Sequence, residues 1–412
     1  MLESDDWGLC AWVPDDRGHR ALANQPAFRT AAGLRYGRST LESAADVSEL
    51  AWELLQWRGK DGFPPAWQAN TIVANPDYER LQPPLFQFDE LPLCYFPELP
   101  ARWARPGLSD AIHRAEAAGV WWAELHGLHH LPEAAWLAAL RRGEHDARRA
   151  LEQSSPIARA TEAGGEYDAA EPKELRSVNA RKAVDAFRRL FGRAPTSFCP
   201  PDYRFDDWFE REAVSIGLTT WQGDAEQAGR GLAPLRRRWF GLGFPRRDGE
   251  RFLLPPRTAF EPEGNAAAPG PRGLDAAHRG AREAWRQGRP AVVSSHRMNY
   301  AHLDPAWSEA SRAALRALLE RLCADNATFL TDHEVRQLAE RSWSVRDLGE
   351  RGALLRHYGV PREPITFPSP QGVTGGRLSG AHDDPKAELR VAGGQTEMRV
   401  NLGEYLIEWT RP

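Results

Sequence analysis

Four cysteines, Cys10, Cys94, Cys199 and Cys323, lie far apart and none forms a CxxC pair. That spacing excludes a disulfide framework and a zinc ribbon and leaves ordinary thiols. Long apolar runs are missing too: no stretch approaches the roughly 18 residues of a membrane span. No charged, apolar, small-residue leader precedes the first motif, so the cytoplasm is the default expectation. Because the chain opens only four residues before Asp5, sequence upstream of it is not excluded. The net charge of −4 gives no electrostatic reason to expect nucleic acid or an anionic membrane as partner. Small neutral or polymeric ligands fit better. There is no internal repeat.

What the chain does carry begins at its start. Asp5-Asp6-Trp7-Gly8, taken with His126-Gly127-Leu128-His129-His130, brings a carboxylate pair and two histidines into one chain. These types suit a metal hydrolase: imidazole nitrogen and carboxylate oxygen bind Zn²⁺, three protein ligands leave a position for water, and a spare carboxylate takes the water's proton. Side chains alternate along a strand, so adjacent aspartates at its tip point different ways and can divide the two jobs. Either motif alone is a weak signal, and the conjunction carries the argument.

At 412 residues, 42% of them hydrophobic, the chain can bury a large core and has room for one large domain plus a smaller one. Its sixteen tryptophans serve core packing first and sugar stacking second. Short apolar segments alternate with helical patterns in the order of a parallel β/α architecture. Strands are expected at Met1–Glu3, Thr71–Ala74, Val120–Leu125, Thr196–Phe198, Leu218–Trp221, Ala291–Ser295 and Thr328–Leu330. Helices are expected over Glu174–Phe191 and Ala306–Leu322, the second started by Pro305. Thr331 with Glu334 three residues on reads as a capping box for a further helix.

Polar residues gather behind these strands: Asp5 and Asp6, Asn75, His126, the Cys199–Tyr203 turn, Gln222 and Asp224, and His296. In a barrel of parallel strands the loops at the C-terminal ends build the active site, so these residues are expected to converge. Two aperiodic stretches, Ser154–Lys173 and Gly229–Gly273, read as surface loops. The Arg236-Arg237-Arg238-Trp239-Phe240 run inside the second reads as a solvated face. Beyond Ser342, alternating segments at Ala387–Val391, Thr396–Val400 and Glu404–Trp409, with turns such as Gly393-Gly394, predict a small antiparallel β appendage. It would occupy 342–412 and be separable from a catalytic domain over 1–341.

The SDDWG of Ser4–Gly8, the ANPDY of Ala74–Tyr78, His126–Leu131, the PPDY of Pro200–Tyr203 and the SSHRMNY of Ser294–Tyr300 carry a resemblance. They resemble the polysaccharide deacetylases, carbohydrate esterase family four. The likeness is closer to a branch of the glycoside hydrolase/deacetylase barrel superfamily with SDDWG near its start and a strand ending HGxxHL. The resemblance covers about residues 1–340. It implies an α/β fold with a distorted seven-stranded (β/α) barrel, a divalent metal, Zn²⁺ foremost, and hydrolysis of N- or O-acetyl groups on a sugar or polysaccharide. Residue by residue it implies Asp6, His126 and His130 as metal ligands, Asp5 as general base and His296 as general acid. Pro201 and Tyr203, in a turn with a backbone N–H for the oxyanion, and Trp7 as a wall, complete the substrate side. Cys199 stands where classical members carry an arginine, so Arg204 or Arg297 is expected to orient Asp5 instead.

Two other classes use the same residues. One is a glycoside hydrolase with a carboxylate pair drawn from Asp5, Glu124 and Asp202, about 5 to 9 Å apart. The other is a non-catalytic carbohydrate-binding relative. Metal content separates the first from a deacetylase, and acetate release separates both. In every case the expected partner is a carbohydrate, with no nucleic acid and no membrane span; the oligomeric state stays open.

Overall fold

The computed structural model describes residues 1–82, 90–223, 246–248, 251–349, 352–380 and 386–412; Asp224 and the Arg236–Phe240 run lie outside them. The architecture is mixed α/β. Six strands run parallel: β1 (Leu2–Trp7), β2 (Trp67–Thr71), β3 (Trp121–Leu125), β4 (Thr220–Gly223), β5 (Arg251–Ala259) and β6 (Val292–His296). Their order across the sheet is β3-β2-β1-β6-β5-β4, with the short strand Arg246–Asp248 antiparallel on β5. β2 and β3 are buried at every residue, as parallel strands covered on both faces must be. The cover is helical. Leu50 and Leu54 of helix Ala44–Leu55, Ile112 of helix Leu108–Ala117, and Leu315, Leu318 and Leu319 of helix Pro305–Ala324 share one core with Trp67 and Trp121. Each such side chain stabilises the fold by about 1.5–3 kcal/mol.

The expected seven-stranded barrel is met by a curled sheet of six parallel strands. At Thr196–Phe198 only Phe198 pairs, forming parallel bridges to Leu125 of β3 and to Trp221 of β4, the two edges of the sheet. A longer ladder does not form because the N–H groups of Thr196 and Ser197 donate instead to the Glu124 carboxylate, at 2.8 and 2.9 Å. Thr328–Leu330 is not a strand either; the carbonyl of Phe329 accepts from the Arg346 guanidinium at 2.9 Å. The capping box is present where expected: Thr331 N–H donates to Glu334, and Thr331 Oγ1 accepts from the Glu334 N–H, opening helix Asp332–Arg341.

Both stretches read as surface loops contain structural segments among their described residues. Gly229–Gly273 contains β5, inside the sheet. Ser154–Lys173 buries Glu166, Tyr167 and Glu171.

After helix Asp332–Arg341 the chain is antiparallel. Four strands, ordered Trp343–Asp347, Ala353–His357, Gly403–Thr410 and Gly375–Gly380, form one sheet, and Ile365–Pro368, Gln395–Arg399 and Glu388–Ala392 another. Leu355, Tyr405 and Ile407 from the first sheet and Ile365, Phe367 and Met398 from the second share a core. Gly393 and Gly394 take φ of 57° and 73°, the two positive values that a two-residue hairpin turn requires. Buried ion pairs tie this region to the rest: Arg356 meets Asp61 at 2.6 Å and also Glu334, and Arg346 meets Glu334 at 3.0 Å. Among the described residues no helix is long and apolar enough to cross a membrane.

Candidate functional site

Alternation along β1 puts Glu3 and Asp5 on one face, and both meet Arg257 of β5. Its Nε donates to Glu3 Oε2 at 2.6 Å, its Nη1 to Asp5 Oδ2 at 2.6 Å and its Nη2 to Asp5 Oδ1 at 3.0 Å. Asn70 of β2 donates to Asp5 Oδ1 at 2.6 Å, and the Gln222 amide joins Asn70 to Arg257. Burial opposes ionisation of Asp5, but the Arg257 charge, with His126 and the Arg257 hydrogen bonds behind it, holds the carboxyl well below the usual range. The guanidinium that holds Asp5 thus comes from β5, and not from Arg204 or Arg297. Arg204 donates to the Ala163 carbonyl at 2.7 Å, and Arg297 to the Asp6 carbonyl at 2.8 Å.

Asp6 departs from strand geometry. Its φ is 72°, and the pairing of β1 with β2 shifts register between Ser4 and Trp7, the kind of local irregularity that re-aims a side chain. Its carboxylate Oδ1 then lies 3.4 Å from His126 Nε2 and 3.6 Å from His130 Nε2. His130 (φ 66°), Asp202 (φ 50°) and Tyr203 (φ 52°) are left-handed as well. Non-glycine residues there cost about 1–3 kcal/mol each and collect at functional sites.

The donor set fits a divalent cation. His126 Nδ1–H donates to the Cys199 carbonyl at 2.8 Å, which leaves Nε2 as the acceptor of a neutral ring. A neutral imidazole Nε2 and a carboxylate oxygen are both electron-pair donors, and facing each other at this range they are satisfied either by a proton on Nε2 or by a cation between them. One ligand atom each from Asp6, His126 and His130 lies within 4.8 Å of the others, and two nitrogens with one oxygen suit Zn²⁺. Asp5, His126 and Cys199 also meet that distance. That second set suits a cation less, because Arg257 already neutralises Asp5 and burial pushes the Cys199 thiol up.

The histidine loop is held by a residue that the sequence pattern does not single out. Glu166, buried, accepts the N–H groups of Leu128 at 3.0 Å, His129 at 3.2 Å and His130 at 2.9 Å. Gly127, at φ 113°, has no room for a side chain: a Cβ would stand 2.7 Å from Glu166 Oε2 and 2.9 Å from Pro201 Cγ. His129 is buried inside the loop, its Nε2 3.1 Å from Glu133 and its Nδ1 accepting from the Leu131 N–H at 3.2 Å. Asn75 steadies the Asp6 loop by accepting the Cys10 N–H at 2.7 Å and donating to the Gly8 carbonyl at 2.8 Å.

His296 sits beside Asp5 in register across β1 and β6. Its Nδ1 lies 2.6 Å from Glu261 Oε1, while Asn299 donates to Glu261 Oε2 at 2.6 Å. Burial works against charging the ring, but Tyr36 and Glu261 beside it raise its pKa well above the ordinary histidine value.

Three expectations on the substrate side need correction. Trp7 is 1% exposed and packs edge-on against Trp121 at 4.7 Å, so it belongs to the core and offers no wall. The Tyr203 N–H donates to the Pro200 carbonyl at 3.1 Å, so it is engaged within the turn and not held out for an oxyanion. Pro201 is buried, packed over Gly127, and the Tyr203 ring lies 5.7 Å from the Arg257 guanidinium. Pro201 therefore packs behind the histidine loop, while the half-buried Tyr203 stays on the Arg257 side of the site.

No family model matches the sequence, and no curated protein matches it. Among solved structures the chain is similar to a protein of Mycobacterium smegmatis assigned to the polysaccharide deacetylases, at 12% identity, with 82% of this chain and 89% of the other covered and a TM-score of 0.39. It is similar to the carbohydrate deacetylase Agd3 at 9% identity, covering 98% and 64%, with a TM-score of 0.36. The 4-alpha-glucanotransferase of Thermococcus litoralis gives 11% identity, 82% and 40% coverage and a TM-score of 0.41. At such scores none of them assigns a family or an activity to this chain.

Proposed function

We propose that the chain is a metal-dependent hydrolase that removes an N- or O-acetyl group from a carbohydrate. The observation that carries this is the convergence of Asp6, His126 and His130 donor atoms within 4.8 Å, with Asp5 and His296 paired in register alongside. Asp6, His126 and His130 would hold the ion, Zn²⁺ by donor type, which when bound supplies Lewis acidity and makes water a nucleophile near neutral pH. Asp5 takes the proton of the attacking water. Its Oδ2 is the better placed oxygen, with one Arg257 hydrogen bond against the Asn70 and Arg257 bonds at Oδ1. Arg257 and Asn70 fix the carboxylate's orientation. His296, its Nδ1 committed to Glu261, presents Nε2 to protonate the leaving nitrogen or oxygen. Glu261 keeps the ring charged and correctly turned.

The carboxylate-pair alternative has less support. Glu124 is buried and its oxygens are engaged by Trp122 Nε1 at 2.7 Å, by the N–H groups of Thr196 and Ser197 and by the Thr196 hydroxyl. A carboxylate saturated in this way is a structural anchor. Acetate release from acetylated oligosaccharides, with and without chelator, tests the proposal. Release that stops in chelator and returns with Zn²⁺ supports it; glycosidic cleavage that persists in chelator favours the carboxylate pair, and sugar binding without any turnover favours a binding protein.

A further inference from the structure

Beside His296 stands an aromatic pair that no step of the proposed chemistry uses. Trp12 and Tyr36 stack nearly parallel, 16° between planes and 5.9 Å between centroids. Tyr36 meets the His296 ring edge-on at 5.9 Å. Both aromatic residues are half-buried, each keeping part of its surface in contact with solvent. Trp12 holds a φ of 65°, a backbone conformation that a bulky residue adopts only under constraint. The indole packs against the buried cluster that holds Leu9, Val13, Leu22 and Phe28 and keeps its remaining surface in solvent.

The pair also has a direction. Phe28 meets Trp12 edge-on at 5.3 Å, and Phe28 in turn lines a hollow of about 360 Å³ with Leu34, Arg35, Arg38, His302 and Trp307. In that hollow the rings of His302 and Trp307 stack at 4.6 Å and 16°. Phe28 is itself buried, so the exposed aromatic surface next to His296 is that of Tyr36 and Trp12. A pyranose ring presents C–H bonds on its face and hydroxyls on its rim, and it packs on such a surface with its hydroxyls still solvated.

We propose that Trp12 and Tyr36 are a platform for a sugar ring next to the one that reacts. This rests on the assignment of a carbohydrate substrate above. Calorimetry on the full chain with Zn²⁺ tests it, using the pentamer of β-1,4-linked N-acetylglucosamine and acetylated xylopentaose as probes. Expected are binding of one pentamer by the wild type, about tenfold weaker binding in Trp12→Gly and in Tyr36→Ala, and binding within about threefold of wild type in Trp12→Phe, which keeps a ring. Glycine suits the left-handed position, and circular dichroism confirms folding; if Trp12→Gly does not fold, Tyr36→Ala gives the same readout. Equal binding by wild type and Tyr36→Ala overturns the platform, as does a wild type that binds neither pentamer. Acetate release with unchanged pentamer affinity in the variants removes the platform and leaves the hydrolase. Platform-dependent binding without acetate release removes the hydrolase and leaves the platform.

Discussion

Arg257 grips both oxygens of Asp5, at 2.6 and 3.0 Å, and spends its remaining Nε–H on Glu3 at 2.6 Å. One buried cation thereby fixes two buried carboxylates. Removing it takes the hydrogen-bonded counter-charge from both, so Arg257→Met is expected to lower stability by about 3–5 kcal/mol. Arg257→Lys keeps the charge but not the planar fork; it should fold and lose at least about tenfold in turnover. Denaturant unfolding and acetate release on the two variants check the pair of outcomes. A fully active Lys variant would show that the fork does not orient Asp5.

His296 carries a raised pKa, opposed by burial and driven by Tyr36 and Glu261. The charged ring is the proton donor, so activity is retained below that pKa and lost as pH rises through it. Glu261→Gln removes a favourable charge, and the alkaline limb of the pH–rate profile should move to lower pH. Stability follows the same sign. The native preference for charged histidine contributes fully below the ordinary value of about 6.5 and disappears as pH rises through the native one. The stability gap between wild type and Glu261→Gln is therefore largest in acid and closes in base. A limb that does not move would detach Glu261 from the proton donor.

Much of this site was legible in the sequence, and the reasons for what was not are specific. SDDWG and HGLHH bring their carboxylates and imidazoles together as expected, because strand ends on one side of a parallel sheet meet. Arg257 stayed hidden because β5 contains Pro255 and Pro256, residues that argue against an internal strand. β5 tolerates them by changing partners, pairing with β4 through Phe252, Leu253 and Pro256 and with β6 from Arg257 to Ala259. Glu166 gave no signal, since a carboxylate that caps three loop N–H groups has no periodicity. Trp7 misled through its place in the motif: the left-handed turn at Asp6 sends the next side chain into the core. Thr196–Phe198 looked like a strand by composition, but Glu124 takes the N–H groups that a ladder needs.

Asp332 offers a second pH test, at the far end of the same polar interior. It is buried against Glu3, and burial, with the Glu3 charge and a hydrogen bond between the two, raises its pKa well above the ordinary carboxyl value. Gln68 donates to its Oδ2 at 2.7 Å. A carboxyl with a raised native pKa contributes most at low pH, and stability falls as pH climbs from about 4 through the raised value. Asp332→Asn keeps an acceptor for Gln68 and gains a donor for Glu3. Its unfolding free energy should vary less with pH between about 4 and 8, by up to about 1.4 kcal/mol per unit. An identical slope in the two proteins would mean that Asp332 is ionised.

Arg356, buried, joins the C-terminal sheets to Glu334 and Asp61. Arg356→Met is expected to cost about 3–5 kcal/mol, and adding Glu334→Gln to recover part of it. A chain ended at Arg341 loses Arg346 and Arg356 together. It should unfold at lower denaturant than the full chain, and equal midpoints would show that residues 342–412 are a separable unit.

The division of labour between the two adjacent aspartates is the centre of the account, and zinc titration calorimetry on metal-stripped protein tests it most directly. Wild type should bind about one Zn²⁺ per chain. Asp5→Asn should still bind it while losing about 10²–10⁴-fold in turnover, the range of a general base. Asp6→Asn and His126→Ala should lose both binding and turnover. Full zinc binding by Asp6→Asn and His126→Ala, or equal loss in Asp5→Asn and Asp6→Asn, would contradict it.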